Sequence, residues 1–237
     1  MKKLGIASFL VMALMSCGKE SPKLTVTPTE IALYTEGTTQ ITTNANDATF
    51  AVEDDFYASV ESNGLVTANK VGETEIIVNS TLGTANVPVV VLPQYTLYPD
   101  VDGLVGKSTS AVVDVMGNSY ETSTSNDGEL EYIYYNPTSY CDLLGFTFSG
   151  GRCNAVVAFI PTEYTTKITK ALIERYNIVG MQNDYYFFLN HDENVTIALT
   201  VYTAKYIGVV YMESTKSKGG ESISSIYDEL SKFNHLI

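Results

Sequence analysis

The chain has no tryptophan, two histidines, three cysteines and only 14 lysines and arginines in 237 residues. Set against 27 aspartates and glutamates, those few basic side chains leave a formal net charge of −13. Nucleic-acid binding is driven by Lys and Arg neutralising phosphates, so this balance excludes nucleic acid as a partner. A basic face lying on anionic lipid is excluded on the same ground. What remains is a solvated acidic exterior. The histidines, His191 and His235, leave little room for imidazole chemistry. His235 has no acidic or serine neighbour to complete a triad. His191-Asp192-Glu193-Asn194 reads as a solvated hairpin turn, with nitrogen and oxygen ligands to a metal as the alternative. No cofactor is implied. Long apolar runs are scarce too: residues 4–15 are too few to span a bilayer as a permanent helix.

That short apolar run has a different use. Lys2 and Lys3 precede it, and Leu14-Met15-Ser16-Cys17 closes it. A basic start, a short apolar core and a small residue before a cleavage point make a secretory signal over residues 1–16. The cysteine directly after Ser16 resembles the lipobox of bacterial lipoproteins. The resemblance implies cleavage before Cys17, lipidation of Cys17, and the membrane as a partner through the lipid. Two or more acyl chains anchor stably, at about 0.8 kcal/mol per buried methylene. Residues 17–22 are then a tether. Gly18-Lys19-Glu20 partly resembles the Lys-plus-acidic export signal of Bacteroidetes lipoproteins, which implies an outer-membrane protein displayed at the cell surface. Cleavage removes Lys2 and Lys3 and leaves 12 basic against 27 acidic side chains, a charge of about −15.

With 45% apolar residues and 17 tyrosines the chain can bury a core. An exported protein permits a disulfide between Cys141 and Cys153. The local pattern opposes it: a tight turn at Gly150-Gly151 sets Cys153 opposite Phe148 and Cys141 near Ile160. The sulfurs are then roughly 15 Å apart at about 3.3 Å per residue, beyond disulfide reach. Two buried free thiols are expected.

From Leu24 the pattern is short alternating apolar runs split by Gly, Pro, Asn and Asp. Strands are predicted at 24–26, 31–33, 40–42, 49–52, 58–61, 65–68, 75–79 and 85–91. This spacing predicts an all-β sandwich. Within it, Ala58-Ser59-Val60-Glu61-Ser62-Asn63-Gly64-Leu65-Val66-Thr67-Ala68, followed by Gly72-Glu73-Thr74-Glu75-Ile76, resembles the second half of a bacterial Ig-like domain, group 2. Leu24-Thr25-Val26-Thr27-Pro28, Leu33 and Gly37 match its first half. The resemblance covers residues 23–93 and implies a spacer or adhesion module with no catalytic residues. The family's central Trp corresponds to Phe50, which implies a smaller core.

Residues 94–99, flanked by Pro93 and Pro99, read as a linker. A second domain, 96–237, mixes helix and strand. Leu104, Ser108, Ala111, Val112 and Val115 form a helical stripe that Gly117 ends as a left-handed cap. Strands follow at 130–135, 143–148 and 155–160. The order then recurs: Ile168, Ala171, Leu172 and Tyr176 form a stripe closed by Gly180, with strands at 185–189, 195–202 and 206–212. Val115-Met116-Gly117 matches Ile178-Val179-Gly180. This is a duplicated helix plus three strands. Ser222 is placed to cap a last helix bearing Ile223, Ile226, Tyr227, Leu230 and Phe233. Two such units predict an α+β domain, an antiparallel sheet with helices on one face. The element order over residues 104–212 resembles that of β-lactamase inhibitor proteins and small outer-membrane-assembly lipoproteins, a likeness of fold alone.

Catalytic signals are weak. Gly103-Leu104-Val105-Gly106-Lys107-Ser108 misses phosphate-loop spacing, since position 101 is Val, and reads as a helix start. Asp54-Asp55, and Asp100 with Asp102, lack the ladder of a calcium loop. The aromatic residues are more suggestive. Along 130–135, Tyr132 and Tyr134 alternate with Ile133 and Tyr135, so both faces of that strand hold rings. Along 195–202 the aliphatic face must meet the helices, leaving Thr196, Thr200 and Tyr202 on a face open to water. Tyr132, Tyr134, Thr196, Thr200 and Tyr202 are therefore the expected platform for a protein or glycan ligand. The expected function is surface binding or adhesion, without catalysis. The alternatives are a divergent glycan or peptide hydrolase, or an envelope assembly or inhibitor protein.

Overall fold

The computed structural model describes residues 22–125, 128–214, 223–233 and 236–237. The lipobox, Cys17, Ser222 and His235 lie outside them.

Nine strands build the first domain: β1 (Val26–Thr27), β2 (Ile31–Tyr34), β3 (Thr38–Gln40), β4 (Thr42–Thr43), β5 (Thr49–Val52), β6 (Ala58–Val60), β7 (Leu65–Ala68), β8 (Gly72–Ser80) and β9 (Gly83–Leu92). Alternation of β-branched residues explains its spine. β8 buries Thr74, Ile76 and Val78, and β9 buries Val87, Val89 and Val91, so every second side chain enters one core. The sheet β2-β9-β8-β5 packs on the sheet β3-β7-β6, with β1 paired to β4. Ile41, Ala58 and Val66 fill the space between. Phe50 packs against this core and stays half-buried. The sandwich predicted from the strand spacing is present.

The second domain runs α1 (Thr109–Met116), β10 (Glu121–Thr124), β11 (Leu130–Thr138), β12 (Cys141–Ser149), β13 (Arg152–Pro161), α2 (Thr165–Ile173), β14 (Asn177–Gln182), β15 (Tyr185–Leu189), β16 (Val195–Val201), β17 (Tyr206–Glu213) and α3 (Ile223–Lys232). The strands form one antiparallel sheet, β10-β11-β12-β13-β17-β16-β15-β14. Its centre is the β13–β17 pair, with Ala158 opposite Val209. The duplication is therefore a pseudo-two-fold about an axis normal to the sheet, which keeps α1 and α2 on the same face.

Each repeat has four strands where the sequence pattern gives three. The additions are the two edges. β10 falls in a stretch read as loop, because an edge strand with Ser, Thr and Glu carries no apolar alternation. β14 contains the Gly180 expected to close a helix. Helix α2 ends at Ile173, and Gly180 instead follows a bulge opposite Phe187. Helix α1 is also shorter than its stripe: the Ser108 hydroxyl accepts from the Ala111 amide at 3.3 Å, and a 3-10 turn, Asp102–Leu104, precedes it. Gly117 ends it at φ 81°.

The α1/α2 face buries Val112, Ile168, Ala171 and Leu172 against Phe146, Val156, Ala158 and Val209. Cys141 and Cys153 are free and buried in this layer, with Cys153 opposite Phe148. Helix α3 lies on the opposite face, where Ile226, Leu230 and Phe233 pack on Ile133, Leu143, Val157, Phe159, Ala198 and Val210. Burying these three side chains contributes about 1.5–3 kcal/mol each. Two glycines make the seat. A Cβ at Gly145 would fall 2.4 Å from Phe233, and one at Gly208 would fall 2.5 Å from Leu230.

Candidate functional site: a domain seam and an uncovered sheet end

The five residues expected to form a platform do not share a surface. Tyr132 and Tyr134 point to the α1/α2 face. The buried Tyr134 hydroxyl donates to the Gly117 carbonyl at 2.9 Å, tying β11 to the end of α1. Tyr132 stacks on Tyr120, ring centres 4.2 Å apart, and abuts Phe148. Thr196, Thr200 and Tyr202 do lie on the other face, as the alternation requires. That face is covered in its middle: Tyr202 packs beside Phe159 and Tyr227 of α3, Thr200 is buried, and Thr196 Oγ1 bonds Ser214 Oγ at 3.0 Å. The expectation of an open face is corrected by α3. The amphipathic C-terminal stripe has to bury its apolar side, and it does so on this face.

Apolar exposure appears elsewhere, at the β14 end. Ile178, Val179, Met181 and Val201 are 57–68% exposed and Tyr186 is 49% exposed. Beside them Tyr186, Leu199, Val201 and Ile207 line a groove of about 250 Å³ with Thr165 and Asp184 at its rim. Of the five expected residues, Thr200 alone reaches it. Among the described residues β14 is the last strand of the sheet, and it has no charged residue among its six.

The second concave feature lies where the two domains meet. The segment read as a linker is bound instead. The Gln94 and Tyr95 amides donate to the buried Glu174 carboxylate at 3.1 and 3.0 Å, and Leu97 and Tyr98 enter the core. Across the seam the Val71 amide donates to the Glu174 carbonyl at 2.8 Å, and Lys70 Nζ to the Ile173 carbonyl at 2.6 Å. A cation at the C-terminus of α2 complements the helix dipole; burial lowers the Lys70 pKa. Arg175 pairs with Asp100 through Nε and with Glu174 through Nη1, each at 2.7 Å, and Nη1 also donates to the Tyr95 and Ala171 carbonyls.

His191 closes this seam. Its Nε2 lies 2.7 Å from Asp54 Oδ2, and its ring stacks on Phe56 at 4.4 Å with Tyr57 edge-on at 5.2 Å. Asn190 positions the turn by accepting from the Asn194 and Val195 amides. Tyr57 in turn lies over Gly72, where a Cβ would come within 2.2 Å of its ring. Between them is a cavity of about 120 Å³, lined by Phe56, Tyr57, Tyr176 and His191 together with Asp100, Asp102 and Arg175. Burial, above all, raises the Asp102 pKa, offset by a hydrogen bond from Tyr176 at 3.2 Å. Burial, then the Asp54, Asp192 and Asp102 charges, raise that of Tyr57.

His191, Asp54, Asp100 and Asp102 are thus brought together although the sequence offers them as separate turns. Phe56, Tyr57 and Arg175 carry no signal in the sequence: Phe56 and Tyr57 meet His191 of the other domain, and Arg175 meets Asp100, 75 positions away. Among the described residues no group of three or more His, Cys, Asp or Glu is arranged to hold a metal. No described helix is long and apolar enough to cross a membrane.

Fold and seam define a β-sandwich joined through a polar interface to a duplicated α+β domain. Residues 22–91 match the bacterial Ig-like domain (group 2), and this part of the chain is such a domain. No curated protein is similar enough to count as a relative. An extracellular protein containing a SCP domain from Bacillus anthracis str. Ames is 13% identical with a TM-score of 0.30, covering 52% of this chain and 50% of that one. The chain spans about half the length of that protein. The S-layer protein SbsC, domains 5–6, is 12% identical with a TM-score of 0.25, covering 83% and 85%. Likenesses this weak carry no argument.

Proposed function

We propose that this chain is a lipid-anchored outer-membrane protein that binds a protein partner at the cell surface through its second domain. The Ig-like domain holds that domain away from the membrane, as a fixed support. The lipobox pattern ending at Cys17 supports the anchor, and the Ig-like family supports an envelope role.

The observation that carries the binding reading is the uncovered end of the sheet at β14–β16. Soluble surfaces rarely gather four or five large, half- to two-thirds-exposed apolar side chains beside a groove unless something docks there. An aromatic hydroxyl at Tyr186 among aliphatic neighbours suits a protein contact. It replaces Tyr132, Tyr134, Thr196, Thr200 and Tyr202 as the proposed contact surface.

Two measurements test the reading. Cys17→Ala should move the protein from the membrane fraction to the soluble fraction; persistent membrane association refutes the anchor. On an array of envelope and host proteins and glycans, the full chain should bind a protein, and Met181→Lys with Tyr186→Ala should abolish that binding. Binding unchanged in this variant refutes the sheet end as the contact surface, and binding to glycans alone refutes a protein partner.

A further inference from the structure

We infer that the cavity at the domain seam is a binding site for an organic cation, an ammonium or guanidinium head on an apolar stem. The site shares no residue with the sheet end and stands independently of it.

The geometry has three parts. The walls are aromatic: Phe56 and Tyr57 come from the first domain and His191 and Tyr176 from the second. Ring faces attract cations, and more strongly where water is partly excluded. The lining is also acidic. Asp102 accepts from Tyr176 and from backbone amides at Gly103 and its own position, and a carboxylate has room for more. Asp54 and Asp192 flank His191, and Asp100 lies beside Asp102. Of the cations nearby, Arg175 also lines the cavity, its Nε paired with Asp100 and its Nη1 with Glu174, and Lys70 donates to the Ile173 carbonyl.

Around the cleft Asp54, Asp100, Asp102 and Asp192 outnumber Arg175 and Lys70, so the field inside is negative. Its mark is on the tyrosines: after burial, Asp54, Asp192 and Asp102 raise the Tyr57 hydroxyl, and Asp102 and Asp100 raise that of Tyr176 against a smaller opposing effect of Arg175. A low-dielectric cleft focuses such a field. A neutral sugar gains nothing from that charge, whereas a lysine or arginine side chain gains from both charge and rings. The volume of about 120 Å³ suits one such head group. Cavities at domain interfaces are common ligand sites.

The test uses the full chain in detergent, isotope-labelled for NMR and titrated with N-acetyl-lysine methylamide, its arginine counterpart, butylammonium and N-acetyl-norleucine methylamide. The lysine and arginine compounds should shift the Val71, Tyr176 and His191 amides saturably, weakening as salt rises. Tighter binding of the capped amino acids assigns the source to a protein side chain, and equal binding of butylammonium assigns it to a small amine. Asp102→Asn and Tyr57→Leu should each weaken binding about 3- to 30-fold. Asp192→Asn, a change at an exposed turn, tests the field without touching the fold and should weaken binding by a smaller factor. Equal binding of the neutral norleucine compound, or no shift at the cleft with millimolar lysine compound, overturns the inference.

Discussion

Helix α3 decides which face of the second domain is available, so its docking is the point to perturb. It rests on Gly145 and Gly208, whose missing side chains admit Phe233 and Leu230. Neither glycine needs a positive φ, so alanine fits the backbone at both. In a strand without a neighbour, Gly→Ala gains about 0.5–1 kcal/mol, because glycine loses more freedom on folding. Beneath a docked α3 the new Cβ of Gly145→Ala lies 2.4 Å from the Phe233 ring. Overpacking of this kind costs about 1–3 kcal/mol, so the net change is a loss of up to about 2.5 kcal/mol.

The converse change, Phe233→Ala, removes a fully buried ring and should cost about 3–5 kcal/mol. The decisive measurement is the double-mutant cycle by urea unfolding, followed by near-ultraviolet circular dichroism. Fifteen of the 17 tyrosines lie at or beyond Tyr95, so that signal reports the second domain. With Phe233→Ala in place, Gly145→Ala should become neutral or stabilising, a coupling of about 1–3 kcal/mol. Strict additivity, or a Gly145→Ala single variant more stable than the parent, refutes the docking. It would also restore the open face that the sequence suggested.

Other outcomes follow from the same contacts. The Tyr98 and Tyr211 hydroxyls bond each other at 2.8 Å in the core, so either single Tyr→Phe change should cost about 1–3 kcal/mol. The double change should cost less than the sum, because no hydroxyl is then left unpaired; additive losses in urea unfolding would exclude this. Glu174→Ala leaves Arg175 and two linker amides without their carboxylate and should cost about 3–5 kcal/mol, with faster hydrogen exchange at Val71, Gln94 and Tyr95. Burial pushes the thiols of Cys141 and Cys153 up to about 12. Thiols raised in the folded state contribute stability that is whole below the unfolded value near 9 and is lost as pH rises from there toward 12. The urea midpoint should therefore fall above pH 9, and by less in the double Cys→Ala variant relative to its own value at pH 8.

The first domain is legible in its sequence because each strand has a buried and an exposed side, and β-branched alternation survives in the residues. The core of the second domain is legible for the same reason: Val195, Ile197 and Leu199 face the helices as the alternation requires. Three features are not. β10 and β14 are edges, where one side of the strand meets no neighbour and the apolar pattern lapses. The side of the sheet chosen by α3 depends on the pair of small residues, Gly145 and Gly208, lying 63 positions apart and read singly as nothing. The seam depends on residues from two domains: Phe56 and His191 stack only after both have folded. Sequence pattern reports burial within a domain, and it is silent on which turns of one meet which turns of another.

The duplication sharpens the argument about function. A two-fold about the β13–β17 pair gives both repeats the same helix, the same four strands and the same kind of edge. Where the repeats are structurally equivalent, physical demands on the residues are equivalent too, so their differences need another cause. At one edge β10 reads Glu-Thr-Ser-Thr, a polar strand of the kind that discourages pairing. At the equivalent edge β14 reads Asn-Ile-Val-Gly-Met-Gln, uncharged and apolar in the middle, with its large side chains in water. Folding demands neither choice, and solubility opposes the second. Replacing Ile178 and Met181 by Thr should then leave stability within about 0.5 kcal/mol, as exposed substitutions do. It should remove partner binding on the same array that tests the function. A loss of stability well above that figure would show that β14 is apolar for folding, and the sheet end would lose its claim as the contact surface.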